Sequence, residues 1–460
     1  MTTYAVHNPN TGEVQEQFET LTKDQIPGVI SQAHEGFREW SGTPMERRGE
    51  VLRNFADIAE SEADRLAGIV GREMGKPLKD GRSEISSLVK HARWFADHSA
   101  AFLEPTRIDT SDDVKTYVTH DPLGVLLGIM PWNFPFNQIA RFALPQLMVG
   151  NAILMKQASI CPVSSAEFQS LLERAGLPSG AYTNIYLDTE DVEEVLSDFR
   201  VKGFSLTGSE KSGASAAAIA GKYMKRSVLE LGGNDPMIVL DAADVVAMAE
   251  KAVELRLFNS GQVCTSPKRI IVHSDIYEEF VAAAKDAISR VKVGPYDEDG
   301  VDMGPLSSIS ARDEVVERVA RAVDDGATLH FGGGKIDRPG AYMTPALLTD
   351  VGLDQDISCS ELFGPVVVVY RAESDDDALR IANSSEQGLQ SSVWSQDIER
   401  AERLARQVQT GMTLVNAHRE SSPEWPFGGI NRSGYGREES EWGLKLFTNE
   451  HAFRIHESAL

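Results

Sequence analysis

Three side chains, far apart in this sequence, could together attack a carbonyl: Cys264, Glu230 and Asn133. Cys264 closes the stretch Phe258-Asn259-Ser260-Gly261-Gln262-Val263-Cys264. A cysteine kept for packing sits in an apolar face. Here the neighbours are Asn, Ser, Gly, Gln and Thr, so the thiol is expected to face a polar cavity, with a partly buried free cysteine as the plain alternative. Glu230 stands at the apolar end of a strand-like run, 227–231, just before Gly232-Gly233. Burial there raises a carboxyl pKa and suits it to proton abstraction; a glutamate turned to solvent is the alternative. Asn133, inside Pro131-Trp132-Asn133-Phe134-Pro135, supplies an amide donor. A thiol, a base and a donor are the parts of covalent catalysis at a carbonyl.

The elements that must position them follow from periodicity. Residues 22–100 read as helices, opened by the capping-box pattern Thr22-Lys23-Asp24-Gln25. Apolar runs at 124–130, 152–156, 183–187 and 201–207 read as strands alternating with helices. That alternation predicts an α/β fold with a doubly wound, mostly parallel sheet. Ligands of such sheets lie at the carboxyl ends of the strands, here Trp132-Asn133, Lys156 and Gly208-Ser209. The turn Gly208-Ser209-Glu210-Lys211-Ser212-Gly213 could present backbone N–H groups to a pyrophosphate, although it lacks the G-x-G-x-x-G spacing and also reads as a plain helix start. After residue 236 a second α/β unit begins: a helix at 245–257, then Cys264, then a strand at 269–273. A short strand at 115–120 and an alternating tail at 447–456 are expected to pair, the tail with another subunit as one candidate.

A chain of 460 residues exceeds one core, so two or three domains are expected. No apolar run reaches the ~20 residues of a membrane span, and the N-terminus does not resemble a secretory signal. The net charge of −24 disfavours nucleic acid and anionic membrane as partners, and any anion site must be locally basic. Cys161, Cys264 and Cys359 are spaced for neither a zinc site nor a disulfide framework. Reduced thiols in a cytoplasmic protein are the expectation, with no metal.

Five motifs in order resemble the aldehyde dehydrogenase family over nearly the whole chain: 131–135, Leu229-Glu230-Leu231-Gly232-Gly233-Asn234-Asp235-Pro236, 258–264, Glu361-Leu362-Phe363-Gly364-Pro365 and Pro426-Phe427-Gly428-Gly429. Ser421-Ser422-Pro423-Glu424, and the run from Arg432 to Glu438, most resemble the short bacterial succinate-semialdehyde dehydrogenases. The resemblance implies a Rossmann-type cofactor domain (1–100 and 122–231), an α/β catalytic domain (232–437) and a β oligomerisation arm (101–121 and 438–460), assembled as a homodimer or homotetramer. It implies Cys264 as the nucleophile, Asn133 with the Cys264 N–H as the oxyanion hole, and Glu230 as the base that activates the deacylating water. NAD or NADP would lie along Trp132, Asn133, Lys156, Gln157, Ala158, Ser159, Gly208, Ser209, Leu231, Glu361 and Phe363.

Two departures bear on specificity. Many NAD-preferring relatives carry Glu three residues after the position of Lys156; here Ser159 stands there, so NADP is expected to be accepted. Arg141 and Ser422 (or Ser421) match residues that bind a distal carboxylate, but Phe258 stands where some of these enzymes place a second arginine. The expected reaction is oxidation of a small semialdehyde, succinate semialdehyde first. A broad-specificity or aromatic aldehyde dehydrogenase is the alternative. Release of acyl-CoA is a remote third, which a deacylating base argues against.

Overall fold

A computed structural model describes residues 3–111, 114–418 and 422–456. The helical stretch resolves into four helices, Ile26–Ser41, Met45–Ser61, Ala63–Met74 and Leu78–Phe102. The capping box forms by half: Gln25 Oε1 accepts from the Thr22 N–H at 2.9 Å. The Thr22 hydroxyl instead donates to Asp24, and the helix starts at Ile26.

A six-stranded sheet has the order Gly434–Tyr435, Arg226–Glu230, Val201–Thr207, Val125–Met130, Ala152–Gln157, Tyr182–Asn184. All its pairings are parallel except the one made by Gly434–Tyr435. Val125–Met130 is almost wholly buried because helices cover both faces, which is why it reads as a continuous apolar run rather than an alternating one. The helix Pro135–Val149 is buried all round, carries Pro at its first turn, and ends at Gly150 with φ 105°.

A seven-stranded sheet has the order Thr328–Gly332, Ala346–Thr349, Val366–Ala372, Arg269–His273, Pro236–Val239, Gln390–Trp394, Met412–Val415. Only Thr328–Gly332 runs antiparallel in it.

The C-terminal strand Thr448–His456 pairs along its whole length, antiparallel, with Val114–Pro122 of the same chain. The tail therefore finds its partner within the chain. It leaves Thr106–Ser111 and itself as the two edges of a three-stranded sheet. Residues just before it belong elsewhere: Leu444 and Phe447 are buried in the core that holds Phe142 and Leu147. No helix among the described residues is long and apolar enough to cross a membrane.

Candidate active site

Cys264 is reached from a loop in an unusual conformation. Asn259, Ser260 and Gly261 all take positive φ, at 52°, 56° and 72°. For Asn and Ser this left-handed backbone is unfavourable and must be held in place. Asn259 Nδ2 donates to the Asn133 carbonyl at 3.0 Å, and Ser260 Oγ to the Gly304 carbonyl at 3.0 Å. Gln262 Oε1 accepts from the Ser307 N–H at 2.9 Å, and the buried Arg256 Nη1 donates to the Gly261 carbonyl at 3.0 Å. At Gly261 a Cβ would lie 2.2 Å from the Gly364 carbonyl oxygen. The thiol does face a cavity with polar walls, as expected, but Asn259, Ser260 and Gln262 face inward and secure the turn, and other residues supply those walls.

The cavity at Cys264 is about 250 Å³, with aromatic walls from Phe134, Phe258 and Phe427 and polar ones from Asn137, Gln138 and Thr265. The Phe134 and Phe258 rings stack at 6.2 Å. Phe258 also borders a neighbouring cavity of about 580 Å³. Arg141 lines the smaller cavity together with Cys264. Its guanidinium lies 3.7 Å from the centre of the Phe427 ring and is ion-paired to Glu438 at 2.6 Å. Arg141 is therefore a buried, partnered cation, not a free one. Ser422 does not line this cavity; its hydroxyl accepts from Lys90 Nζ at 3.1 Å. Ser421 lies outside the described residues.

Asn133 is buried, and its Nδ2 donates to the Gln262 carbonyl at 3.1 Å, two residues before Cys264. A side-chain amide has two N–H donors, so one remains for an oxygen at the thiol. The Asn133 carbonyl also accepts from Lys76 Nζ at 2.8 Å. Lys76 is fully buried and paired with Glu84 at 2.5 Å. Glu84 Oε1 in turn accepts from the N–H groups of Phe136 (2.9 Å) and Asn137 (3.1 Å), capping the helix that carries Arg141. Neither Lys76 nor Glu84 stood out in the sequence. A lysine and a glutamate eight apart across a helix start look like surface charges.

Glu230 ends its strand 2% exposed, and neither carboxylate oxygen has a hydrogen-bond partner among the described residues. Burial, reinforced by Glu438, holds its pKa well above the usual carboxylate value, against the opposing fields of Arg141 and Arg437. At Gly428 a Cβ would lie 2.6 Å from Glu230 Oε1, so only glycine leaves room there. Burial also pushes the Cys264 thiol up to about 11, opposed first by Lys268 and then by Arg141.

The expected cofactor residues cluster at the carboxyl ends of the six-stranded sheet. Ser209 caps the 13-residue helix Glu210–Lys222, so the turn is a true helix N-terminus after Gly208. Leu231 packs on Gly213, where a Cβ would come within 2.6 Å of it. Phe363 meets Trp132 edge to face at 5.7 Å. Lys156 is buried above the Tyr4 ring, and burial lowers its pKa. Gln157 Nε2 donates to the Pro131 carbonyl at 2.9 Å, and the Ala158 N–H to the Met130 carbonyl at 2.9 Å. Ser159 is held through its carbonyl, which accepts from the Ala5 N–H at 3.0 Å. The N-terminal strand Tyr4–His7 therefore helps hold this loop, a role invisible in its sequence. A buried ammonium, a serine and a helix N-terminus, with no carboxylate in 157–160, are a donor set that fits a phosphate-bearing dinucleotide. Glu361 lies against Lys268, 3.2 Å from Nζ.

The family model described as "Aldehyde dehydrogenase family" matches residues 1–453. A succinate-semialdehyde dehydrogenase [NADP(+)] of Deinococcus radiodurans is 42% identical over 451 residues, covering 98% of this chain and 94% of that one. One of Mycobacterium ulcerans is 39% identical, covering 97% and 98%. The crystal structure of succinic semialdehyde dehydrogenase from Streptococcus pyogenes, in complex with NADP+, superposes with a TM-score of 0.96 at 38% identity and covers 98% of this chain and all of that one. With a match over residues 1–453 and relatives at about 40% identity over nearly its whole length, the chain belongs to the aldehyde dehydrogenase family.

Proposed function

We propose that this protein oxidises succinate semialdehyde to succinate with NADP+. The observation that carries the substrate is the buried Arg141 guanidinium on the wall of the Cys264 cavity. Glu438 engages Nη2 and Glu439 lies 3.6 Å from Nε, and a guanidinium carries five N–H donors, so the Nη1 side of the fork retains donors for a substrate carboxylate. The cavity, at about 250 Å³, suits a short chain. The similar enzymes of D. radiodurans and M. ulcerans carry that name.

In this reading the Cys264 thiolate attacks the aldehyde carbon, and the remaining Asn133 N–H and the Cys264 N–H receive the oxyanion. Lys156, Ser159, Gly208, Ser209 and Glu361 would hold the cofactor, which would supply a hydride acceptor when bound. Glu230 then takes a proton from the water that hydrolyses the thioester, and that water enters where its carboxylate is now unpartnered. Residues 1–100 and 122–231 form the cofactor domain, to which Gly434–Tyr435 adds an edge strand, most of 232–437 forms the catalytic domain, and the three-stranded sheet forms the arm through which a homo-oligomer assembles in the cytoplasm.

Steady-state kcat/KM tests this. Succinate semialdehyde is compared with butanal and benzaldehyde, with NADP+ and NAD+, on wild type, Arg141→Ala and Ser159→Glu. A lead of more than ~10-fold for the semialdehyde, lost in Arg141→Ala, corresponds to a contact of ~1.4 kcal/mol or more. Ser159→Glu should turn the enzyme away from NADP+. The aromatic walls favour one second reading, an enzyme for apolar or aromatic aldehydes. Benzaldehyde matching the semialdehyde, with Arg141→Ala silent toward both, would establish that reading instead.

A further inference from the structure

Lys268 belongs to no motif that singled out the site, yet its ammonium is hydrogen-bonded to the backbone of Cys264. The residue is 3% exposed. Nζ donates to the Val263 carbonyl at 2.8 Å and to the carbonyl of Cys264 itself, and lies 3.2 Å from Glu361 Oε1. The two carbonyls pin the ammonium. Glu361 is the looser member, with its side chain 21% exposed against 2% for Lys268, and a second, long contact from the Gly233 N–H at 3.3 Å. Removing the carboxylate would leave the cation where it is.

We propose that Lys268 is a positioning residue that makes thiolate formation at Cys264 depend on Glu361. While Glu361 rests on Lys268 its charge offsets the ammonium. When Glu361 turns to the cofactor, the full positive charge acts on the thiol through the loop it already holds. The proposal rests on the assignment of Glu361 to the cofactor made above. The charged groups acting on Cys264 are Lys268 from its own loop, Arg141 from the helix Pro135–Val149, Glu361 and Asp235, while Glu84, which also lines the cavity, is paired to Lys76. Lys268 and Arg141 lower the thiol's pKa, Lys268 the more, while Glu361 and Asp235 raise it. Arg141 is tied to Glu438 and Asp235 is buried, which leaves Glu361 as the member free to move.

The test is the pH profile of Cys264 alkylation by iodoacetamide, followed by intact mass in a Cys359→Ser background, without and with NADP+. Without cofactor, Glu361→Gln should lower the midpoint, and Lys268→Gln should raise it by about one unit or more. In the double variant Glu361→Gln should lose its effect. NADP+ should lower the midpoint of wild type and not that of Glu361→Gln. Tryptophan fluorescence reads NADP+ binding separately, so a failure to bind falls on the cofactor assignment. The proposal itself is overturned if Glu361→Gln leaves the cofactor-free midpoint unmoved, or moves it equally with and without Lys268. Should Lys268→Gln not fold, Lys268→Arg, which keeps the charge, must retain the response to Glu361→Gln.

Discussion

At the scale of single residues, Glu230 is the most exposed to test. Its native pKa is held well above the unfolded value of ~4.3. Between those two values the unfolded chain is ionised and the native chain keeps a proton. Stability contributed at this site is therefore full at low pH and lost as pH rises past ~4.3. Glu230→Gln mimics the protonated form. The variant is expected to melt higher than wild type at pH 8 and no differently at pH 4, by thermal denaturation. The same variant should give a burst of about one NADPH per active site in stopped flow and then stall, because acylation needs Cys264 and deacylation needs the base. A steady rate without a burst would remove Glu230 from deacylation.

At the scale of elements, the site depends on two loops laced to each other. Asn133 donates to Gln262, Asn259 donates to Asn133, and the Lys76–Glu84 pair anchors the first loop from beneath. Lys76→Met leaves Glu84 as a buried charge without its cation. The expected cost is about 3–5 kcal/mol in urea unfolding. A drop in kcat should accompany it, since Asn133 loses a support. Glu84→Gln with Lys76→Met together should recover part of the loss. Periodicity exposed most of the strands here, because a buried parallel strand is a short apolar run between Gly and Pro, as at 124–130. Cys264, Glu230 and Asn133 stood out equally as candidates, since their motifs are local. The support was not. Lys76, Glu84 and Lys268 reach Asn133, Phe136 and Glu361 across separations that no window spans, and a charged residue looks the same in sequence whether buried or solvated. That Asn259, Ser260 and Gln262 secure their own turn rather than line the cavity was hidden for a related reason: side-chain polarity does not say whether a loop serves a ligand or its own backbone.

At the scale of the whole molecule, a net charge of −24 surrounds a pocket whose cation is buried. An anionic semialdehyde is repelled at long range and held at short range. Salt screens the first effect far more than the second, the Debye length being ~10 Å at 0.1 M. Raising ionic strength from ~20 to ~200 mM should increase kcat/KM for succinate semialdehyde and leave butanal flat. A fall for the semialdehyde would mean that an exposed cation, such as Lys90, guides capture.

The antiparallel pairing of Gly434–Tyr435 with the strand that ends in Glu230 also sets a schedule for synthesis. Roughly 200 residues separate the two, so at about 5–20 residues per second a ribosome needs about 10–40 s to bridge them. Through that interval the strand bearing the base has one bare edge, the kind of edge that recruits wrong partners. Thr448–His456 follows later still, to close on Val114–Pro122. The sheet that holds Glu230 is thus completed only after residues 434–435 have been made.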